Sequence, residues 1–437
     1  MVALKGLPAV EGSYDRLWAP IITLWYFIWQ WLQARHTLES VVIDASRGGA
    51  DKLCVKNKRL SEGIQSKATT SFCNARQRLP LEWMSRAFIQ LATGLVSLGN
   101  FRSQDLPIES LDGSTKRVRP YGDIPEQFPP HRTRRKKSYW CVARILGNFC
   151  AATGICTAAK IASIHRSEQA LAVELMLERA KRVLYIGDRN FGVWRVARAA
   201  VQSGGHALVR LTAQRARRLF GRKRLPGLLD QAVEWSPHHD QIDPGLSKAS
   251  VSGRLIIIKA QRRGYRAKTL FLFTTLTDVQ AYPAQRLLEI YGWRWRAELN
   301  FRALKTTMQM DQSEVKSADM VSKEFYAGLM AYNLVRGLMA AAAEQSGCQP
   351  VELSFSRAHA ALASALTDLF LFGISPSECS QRLLQLIDQT TGGKLPRRRK
   401  IRPNEPRAQH YEPQVFPKMK ASRAEARDAL KKSLGKS

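Results

Sequence analysis

Three carboxylates stand in settings that suit chemistry: Asp112 in LDGST, Asp188 in GDRNFG and Glu298 in YGWRWRAELNFRALK. Acids that converge from distant parts of a chain can hold two divalent cations about 4 Å apart. Such a pair activates an attacking oxygen and stabilises a leaving one on phosphorus. Close carboxylates raise each other's pKa, and bound metal offsets that repulsion. Rigid support comes from strand ends and from a helix crossing them. Asp112 reads as the end of a short strand, LPIESLD, with Gly113 letting the chain turn away; taken alone, Asp-Gly is also a common turn. Asp188 closes the apolar run RVLYIGD and opens the turn Asp188-Arg189-Asn190-Phe191-Gly192. The carboxyl end of a buried strand is where α/β proteins place their sites, although a helix cap or a surface acid fits equally.

Treated as one helix at about 100° per residue, residues 291–305 show two faces. Trp293, Ala297, Phe301 and Leu304 fall on one stripe, the expected core face. Tyr291, Glu298 and Lys305 lie within about 40° of one another, flanked by Arg294 and Arg302. Cations there can hold phosphates beside a metal gripped by the acid. The plainer reading is a charged surface with i,i+4 pairs such as Arg294–Glu298 and Glu298–Arg302.

The elements that would carry these groups form an α/β pattern. Residues 1–100 read as a helical N-terminal domain suited to DNA binding. Within it, Ile21–Leu32 is a Trp-rich buried helix started by Pro20. It falls short of the ~20 apolar residues of a membrane span and lacks a signal-peptide cleavage site. Ser71–Arg86, with three arginines, suits either a helix-turn-helix or an ordinary charged face. From Leu106 the order is strand, a hairpin over Ser138–Gly147 and Ala151–Ile161, helix Ser167–Arg179 capped by Ser167, strand Arg182–Asp188, helix Gly192–Gln202 and strand His206–Leu211. That makes 101–212 the first part of a mixed-sheet catalytic core. Residues 213–280 read as a basic, β-rich insertion, 281–390 as the rest of the core with C-terminal helices, and 391–437 as a basic, extended tail.

Charge points to the partner. The chain has 437 residues, with 68 Lys and Arg against 36 Asp and Glu, a formal charge of +32. Polyanions relieve such self-repulsion, and nucleic acid is the obvious one. An anionic membrane surface and a merely basic enzyme are the alternatives. The runs His131–Lys137, Arg215–Arg224, Arg262–Lys268 and Arg397–Arg402 are phosphate-contact candidates, each also readable as a solvated face. Seven scattered cysteines without a CxxC argue against a zinc knuckle or disulfide scaffold and for reduced thiols in a cytoplasmic protein.

The spacing Tyr291-x2-Arg294-x3-Glu298-x6-Lys305 resembles the Y-R-E-K signature of the DDE transposases of insertion-sequence family four. LDGST resembles that family's first-acid motif and GDRNFG its second, in the same order and with a β-rich block before the Glu. PIITLWYFIWQWL, SFCNARQRLP and RPNEPRAQHYEPQVFPKM resemble its outer regions. The resemblance implies an RNase H-like core and a pair of Mg²⁺ ions (Mn²⁺ as a substitute) on Asp112, Asp188 and Glu298. It implies hydrolytic nicking at terminal inverted repeats, transfer of the freed 3′-hydroxyl into target DNA, and in many members a hairpin on the element end. Tyr291, Arg294 and Lys305, with Arg302 and Arg189 beside them, would contact DNA. A homodimer on paired ends, nucleoid association and no membrane are implied as well. Some relatives trap a flipped base on an aromatic from the insertion; Trp235, Tyr265 and Phe271 are candidates, each also readable as core. After Ser114 the chain departs from the family's Pro-Asp-Thr-like turn, which leaves Asp123 without an assigned role. Two rival readings remain: a non-catalytic DNA-binding regulator derived from a transposase, and an RNase H-like nuclease without strand transfer. A tyrosine recombinase fits poorly, because Tyr291 stands beside an acid rather than in an Arg/His set.

Overall fold

Apolar residues on every side of a helix demand burial on every side, and α1 (Pro20–Leu32) meets that demand. Leu24, Tyr26, Phe27 and Leu32 are fully buried. Pro20 stands at its first turn, where no N–H is needed. The computed structural model describes residues 10, 17–33, 37–54, 59–97, 106–132, 137–237, 243–260, 268–371, 376–395 and 422–434. Four further helices complete the N-terminal part: α2 (Leu38–Ser46), α3 (Leu60–Gly63), α4 (Thr70–Arg78) and α5 (Leu81–Ser97). Of the three arginines between Ser71 and Arg86, Arg76 is buried over the rings of Phe27 and Phe72, and Arg86 pairs with Glu82 on its own helix.

A ten-stranded sheet follows. β1 (Ile108–Val118) is joined through α6 (Ile124–Gln127) to β2 (Pro130–Arg132), β3 (Lys137–Cys150) and β4 (Cys156–Ser163). Then come α7 (Glu168–Arg179), β5 (Leu184–Gly187), α8 (Trp194–Gln202), β6 (His206–Arg210), α9 (Ala213–Phe220), β7 (Leu229–Trp235), β8 (Val251–Ala260) and β9 (Lys268–Thr274). β3 pairs antiparallel with β1 on one side and with β4 on the other. β5 pairs in parallel with β1, and β6 in parallel with β5. The order β4-β3-β1-β5-β6, with α7 and α8 as crossovers, is the expected RNase H-like mixed sheet of an α/β protein. Ser167 caps α7 by accepting the Ala170 N–H at 3.1 Å, as its position foretells.

Two-residue alternation sorts the strands between cores. Ile108, Leu184, Ile186 and Leu208 face the helix that follows β9, α10 (Ala284–Gly292). Leu111, Tyr185 and Val209 face α7 and α8. Beyond α10 lie α11 (Trp295–Arg302), a π-turn over Ala303–Thr307, β10 (Gln312–Ser313), α12 (Ala318–Gln345), α13 (Phe355–Leu371) and α14 (Pro376–Thr391). The largest core draws together α1, α5, β3, α11 and the 28-residue α12. The N-terminal helices therefore have no core of their own. Lys323 of α12, 3% exposed, donates to the Gln77 carbonyl at the end of α4 (2.7 Å), which fixes the two regions together. Asp123 serves the fold: its carboxylate accepts the Ala318 N–H at 2.9 Å and so holds the start of α12.

Three expectations are corrected, and a fourth is refined. β1 does not end at Asp112 but runs through Asp112-Gly113 to Val118, because β3 pairs with it along its whole length. Residues 213–280 hold the expected β-rich block before the third acid. α9 opens the block, and β9 pairs with β6, so β7–β9 extend the central sheet. Residues 291–305 are not one helix: the chain turns at Trp293–Arg294 between α10 and α11, and the π-turn follows. The extended tail contains α15 (Arg423–Leu434), where Ser422 and Glu425 form a reciprocal capping box. The described residues up to 395 form one compact unit, and α15 belongs to a second. The runs His131–Lys137, Arg262–Lys268 and Arg397–Arg402 fall wholly or mainly outside the described residues, as does Tyr265. Among the described residues no helix is long and apolar enough to cross a membrane.

Candidate active site

Strand register brings the first two acids side by side. Ser110 pairs with Ile186 across β1 and β5, and Asp112 and Asp188 each lie two residues further on. Neighbouring strands run about 4.8 Å apart. Both acids share the sheet face of Ile108, Leu184 and Ile186, which α10 covers. The same register continued onto β6 puts Arg210 beside Asp188, since Gly187 pairs with Val209. Asp112 accepts the N–H of Gly113 (3.0 Å), and Asp188 accepts that of Asn190 (2.8 Å) in the turn after β5.

α11 brings the third acid over this face. Gly147 of β3, paired with Asp112, leaves room for two rings beneath it: a Cβ there would lie 2.6 Å from Phe149 and 3.2 Å from Phe301. Phe301 packs edge-on to Phe149. From behind, Arg296 donates to the Ala151 carbonyl (2.8 Å), and Asn300 accepts from the buried Arg336 of α12 (2.7 Å). Glu298, half-exposed, accepts from Arg294 Nη1 at 2.9 Å. Arg294 also hydrogen-bonds the Tyr291 hydroxyl, which α10 buries against the sheet.

The electrostatics tie these groups into one cluster. Burial pushes the Asp112 carboxyl up to about 7, with Asp188 and Glu298 raising it further; the Gly113 N–H and Arg294 oppose the rise. Burial raises the Tyr291 phenol, with a contribution from Asp188, while Arg294 and Arg210 work against it. Burial lowers Lys305, which lies within reach of Asp112, Asp311 and Arg117. Burial disfavours the Arg294 charge, but Tyr291, Glu298 and Asp188 outweigh it and hold the guanidinium charged. Tyr291, Arg294, Glu298 and Lys305 thus each lie within electrostatic reach of one or both aspartates despite the break in the helix.

The three carboxylates do not close into a coordination set. Among the described residues no group of three His, Cys, Asp or Glu side chains stands close enough to hold a metal, and Glu298 is engaged by Arg294. The donor chemistry nonetheless fits a hard divalent cation. All three donors are carboxylates, and one carries a proton affinity that a cation would relieve. Arg302 and Arg189 are exposed, and among the described contacts neither is hydrogen-bonded to the acids. The Arg189 carbonyl accepts from Arg215 of α9 (2.9 Å), and Arg217 and Arg218 on the same helix are exposed.

Two groups escaped the sequence reading. Arg210 stands at a strand end beside Asp188, a position only the register reveals, and its Nε is buried without a hydrogen-bond partner. Trp295, 54% exposed on α11 with the Arg294 guanidinium 5.7 Å from its ring, was hidden among apolar neighbours. Of the proposed stacking aromatics, Trp235 packs on Phe273 and Phe271 is partly buried beside the core of α7 and α8.

The sheet is RNase H-like in its strand order, with one acid on its first strand and another just past the end of the parallel neighbour. The family described as Transposase DDE domain matches residues 104–334. A curated relative, Transposase InsG for insertion sequence element IS4 of Escherichia coli (strain K12), is 27% identical over 345 residues, 76% of this chain and 74% of the relative. A cryo-EM structure of the piggyBac transposase synaptic complex with hairpin DNA superposes with a TM-score of 0.41 at 12% identity, covering 89% of this chain and 79% of that one. The chain belongs to the DDE transposases.

Proposed function

We propose that the protein cuts the terminal inverted repeats of its own insertion sequence and joins them to target DNA, with Asp112, Asp188 and Glu298 holding two divalent cations, Mg²⁺ by preference. One observation carries this reading: register sets Asp112 and Asp188 together on one sheet face, and both Asp188 and Glu298 act electrostatically on the Asp112 carboxyl. Cations bound there would supply Lewis-acid activation of the phosphodiester. The protein's own groups do the rest. Glu298 leaves Arg294 to join the aspartates, and the freed guanidinium, with Tyr291 and Lys305, takes up the phosphates of the element end. Arg210, Arg189 and Arg302 add charge to the same backbone path. Trp295 offers an exposed ring on which an unpaired base can stack, with Arg294 beside it. A homodimer bridging two paired ends completes the assembly.

The test is Glu298→Gln, assayed on duplexes carrying the element end with flanking DNA. Cleavage should vanish while end binding stays within a few-fold of wild type. Unchanged cleavage would remove Glu298 from the reaction. Joined strand-transfer products from wild type separate a transposase from a nuclease, and no cleavage by wild type on any matched end would favour the regulator.

A further inference from the structure

On the sheet face away from the candidate metal site, one carboxylate contacts β1 beside Asp112 and the turn that Asp188 opens after β5. Glu168, the first residue of α7, has a side chain 19% exposed. Its carboxylate lies directly against Gly113, so that a Cβ on that glycine would stand 2.2 Å from its Cδ. Gly113 follows Asp112. The Glu168 Oε1 accepts from Arg144 Nη1 at 2.9 Å, and Arg144 pairs with Thr115 across β3 and β1. Its Oε2 accepts from Asn190 Nδ2 at 2.7 Å, in the turn that Asp188 opens. The Asn190 backbone N–H in turn holds the Asp188 carboxylate. The neighbouring Gln169 donates to the Asn190 carbonyl at 2.7 Å and fastens the same turn again.

We propose that Glu168 is a positioning residue that sets the Asp112–Asp188 separation by keying α7 onto β1 at Gly113 and onto the Asp188 turn through Asn190. A side chain built only for stability would not need a glycine opposite it and a polar arm to the far strand's turn. Gly113 follows from this: its missing side chain is the seat of the Glu168 carboxylate, which explains a glycine in the middle of a continuous strand better than a turn does. Glu168 itself touches neither substrate nor metal. It acts through the geometry of the two acids, as outer partners of metal ligands do. The inference rests on the reading that Asp112 and Asp188 bind the cations.

The experiment compares wild type with Glu168→Ala, Gly113→Ala, Asn190→Ala and the control Asp188→Asn, all as full-length chains. Mn²⁺ binding to the DNA-free protein is followed by loss of the free-ion paramagnetic resonance signal. Mg²⁺ dependence of end cleavage, end binding and melting temperature are measured beside it. Loss of a partner outside the coordination shell weakens metal sites about 10–100-fold. Glu168→Ala and Gly113→Ala should each weaken Mn²⁺ binding by at least tenfold and raise the Mg²⁺ needed for half-maximal cleavage in parallel. End binding should stay within about twofold, and combining either with Asn190→Ala should add little. Asn190 is exposed, so its variant tests the link even where Glu168→Ala folds poorly. Normal Mn²⁺ binding by a folded Asn190→Ala and a folded Glu168→Ala would overturn the proposal while Asp188→Asn still loses the ion. Should Asp188→Asn bind Mn²⁺ as wild type does, the metal reading itself fails, and the positioning role with it.

Discussion

Asp112→Asn should make the metal-free protein more stable, even as it removes a proposed metal ligand. In the folded chain burial lifts the Asp112 carboxyl from 3.8 to about 7, assisted by Asp188 and Glu298. At about 1.4 kcal/mol per tenfold change in proton affinity, a displacement of about 3 log units amounts to roughly 4 kcal/mol as an upper bound. The sign follows from which state holds the proton. Folding raises the proton affinity of this group, so its ionised form opposes folding. The penalty is absent below pH 4, where folded and unfolded chains are both protonated. It grows as pH rises from about 4 to 7 and is complete above 7. Asparagine has the same shape and no charge, so it removes the penalty. In buffer with chelator at pH 8, the variant should melt several degrees above wild type, since each kcal/mol moves a large domain by about 2–4 °C. By pH 4.5 the gap should have shrunk to about a quarter of its value at pH 8. Adding Mg²⁺ at pH 8 should raise wild type and leave the variant where it was. Equal melting at pH 8, or a gap that does not shrink with acid, would refute the reasoning.

Glu109→Gln should act in the opposite sense. Glu109 is fully buried on β1 and bound by Arg179 through its two terminal nitrogens, Nη1 and Nη2, with Lys181 at 3.6 Å; these cations outweigh burial and hold its carboxyl below the usual range. Removing its charge leaves Arg179 uncompensated and should cost about 3–5 kcal/mol in chemical denaturation, with wild type losing the same contribution only as pH falls below the usual carboxylate range. Gly192→Ala should displace the Asp188 turn, because a Cβ there would stand 2.0 Å from the Arg210 carbonyl, a backbone atom that cannot swing away. We expect about 1–3 kcal/mol of lost stability and a larger fall in cleavage than in end binding, read from melting and from gel shifts on the same preparation.

Local signals were legible in the sequence. The Ser167 cap, the hairpin of β3 and β4, the buried α1 and the RNase H-like order of elements all follow from residues close together in the chain. What failed was non-local. Asp-Gly looked like a turn because only β3, paired from Glu109 to Val118, keeps the strand going. The β-rich block before Glu298 was visible, but sequence does not say that β9 will lie against β6 and so continue the sheet. A wheel of uniform 100° steps kept Glu298 among its cations but missed the turn at Trp293–Arg294 and the π-turn that carries Lys305. It also left Tyr291 off the core face, where α10 in fact buries it. Buried cations were unreadable for a similar reason. Lys116 donates to the carbonyls of Met310 and Gln312, and Arg254 to those of Leu276 and Tyr282, partners that no neighbouring residue announces. The Ser422–Glu425 capping box was local and readable, but the Arg- and Pro-rich composition around it masked a helix start.

Because α12 serves α1, α5 and the strand face under α11 at once, the first hundred residues are not a detachable cassette. A chimera that borrows this segment from a relative would inherit one half of an interlocked interior and confront it with a foreign other half. A truncated chain lacking the N-terminal helices should therefore be insoluble when expressed, because it would leave the apolar face of α12 uncovered.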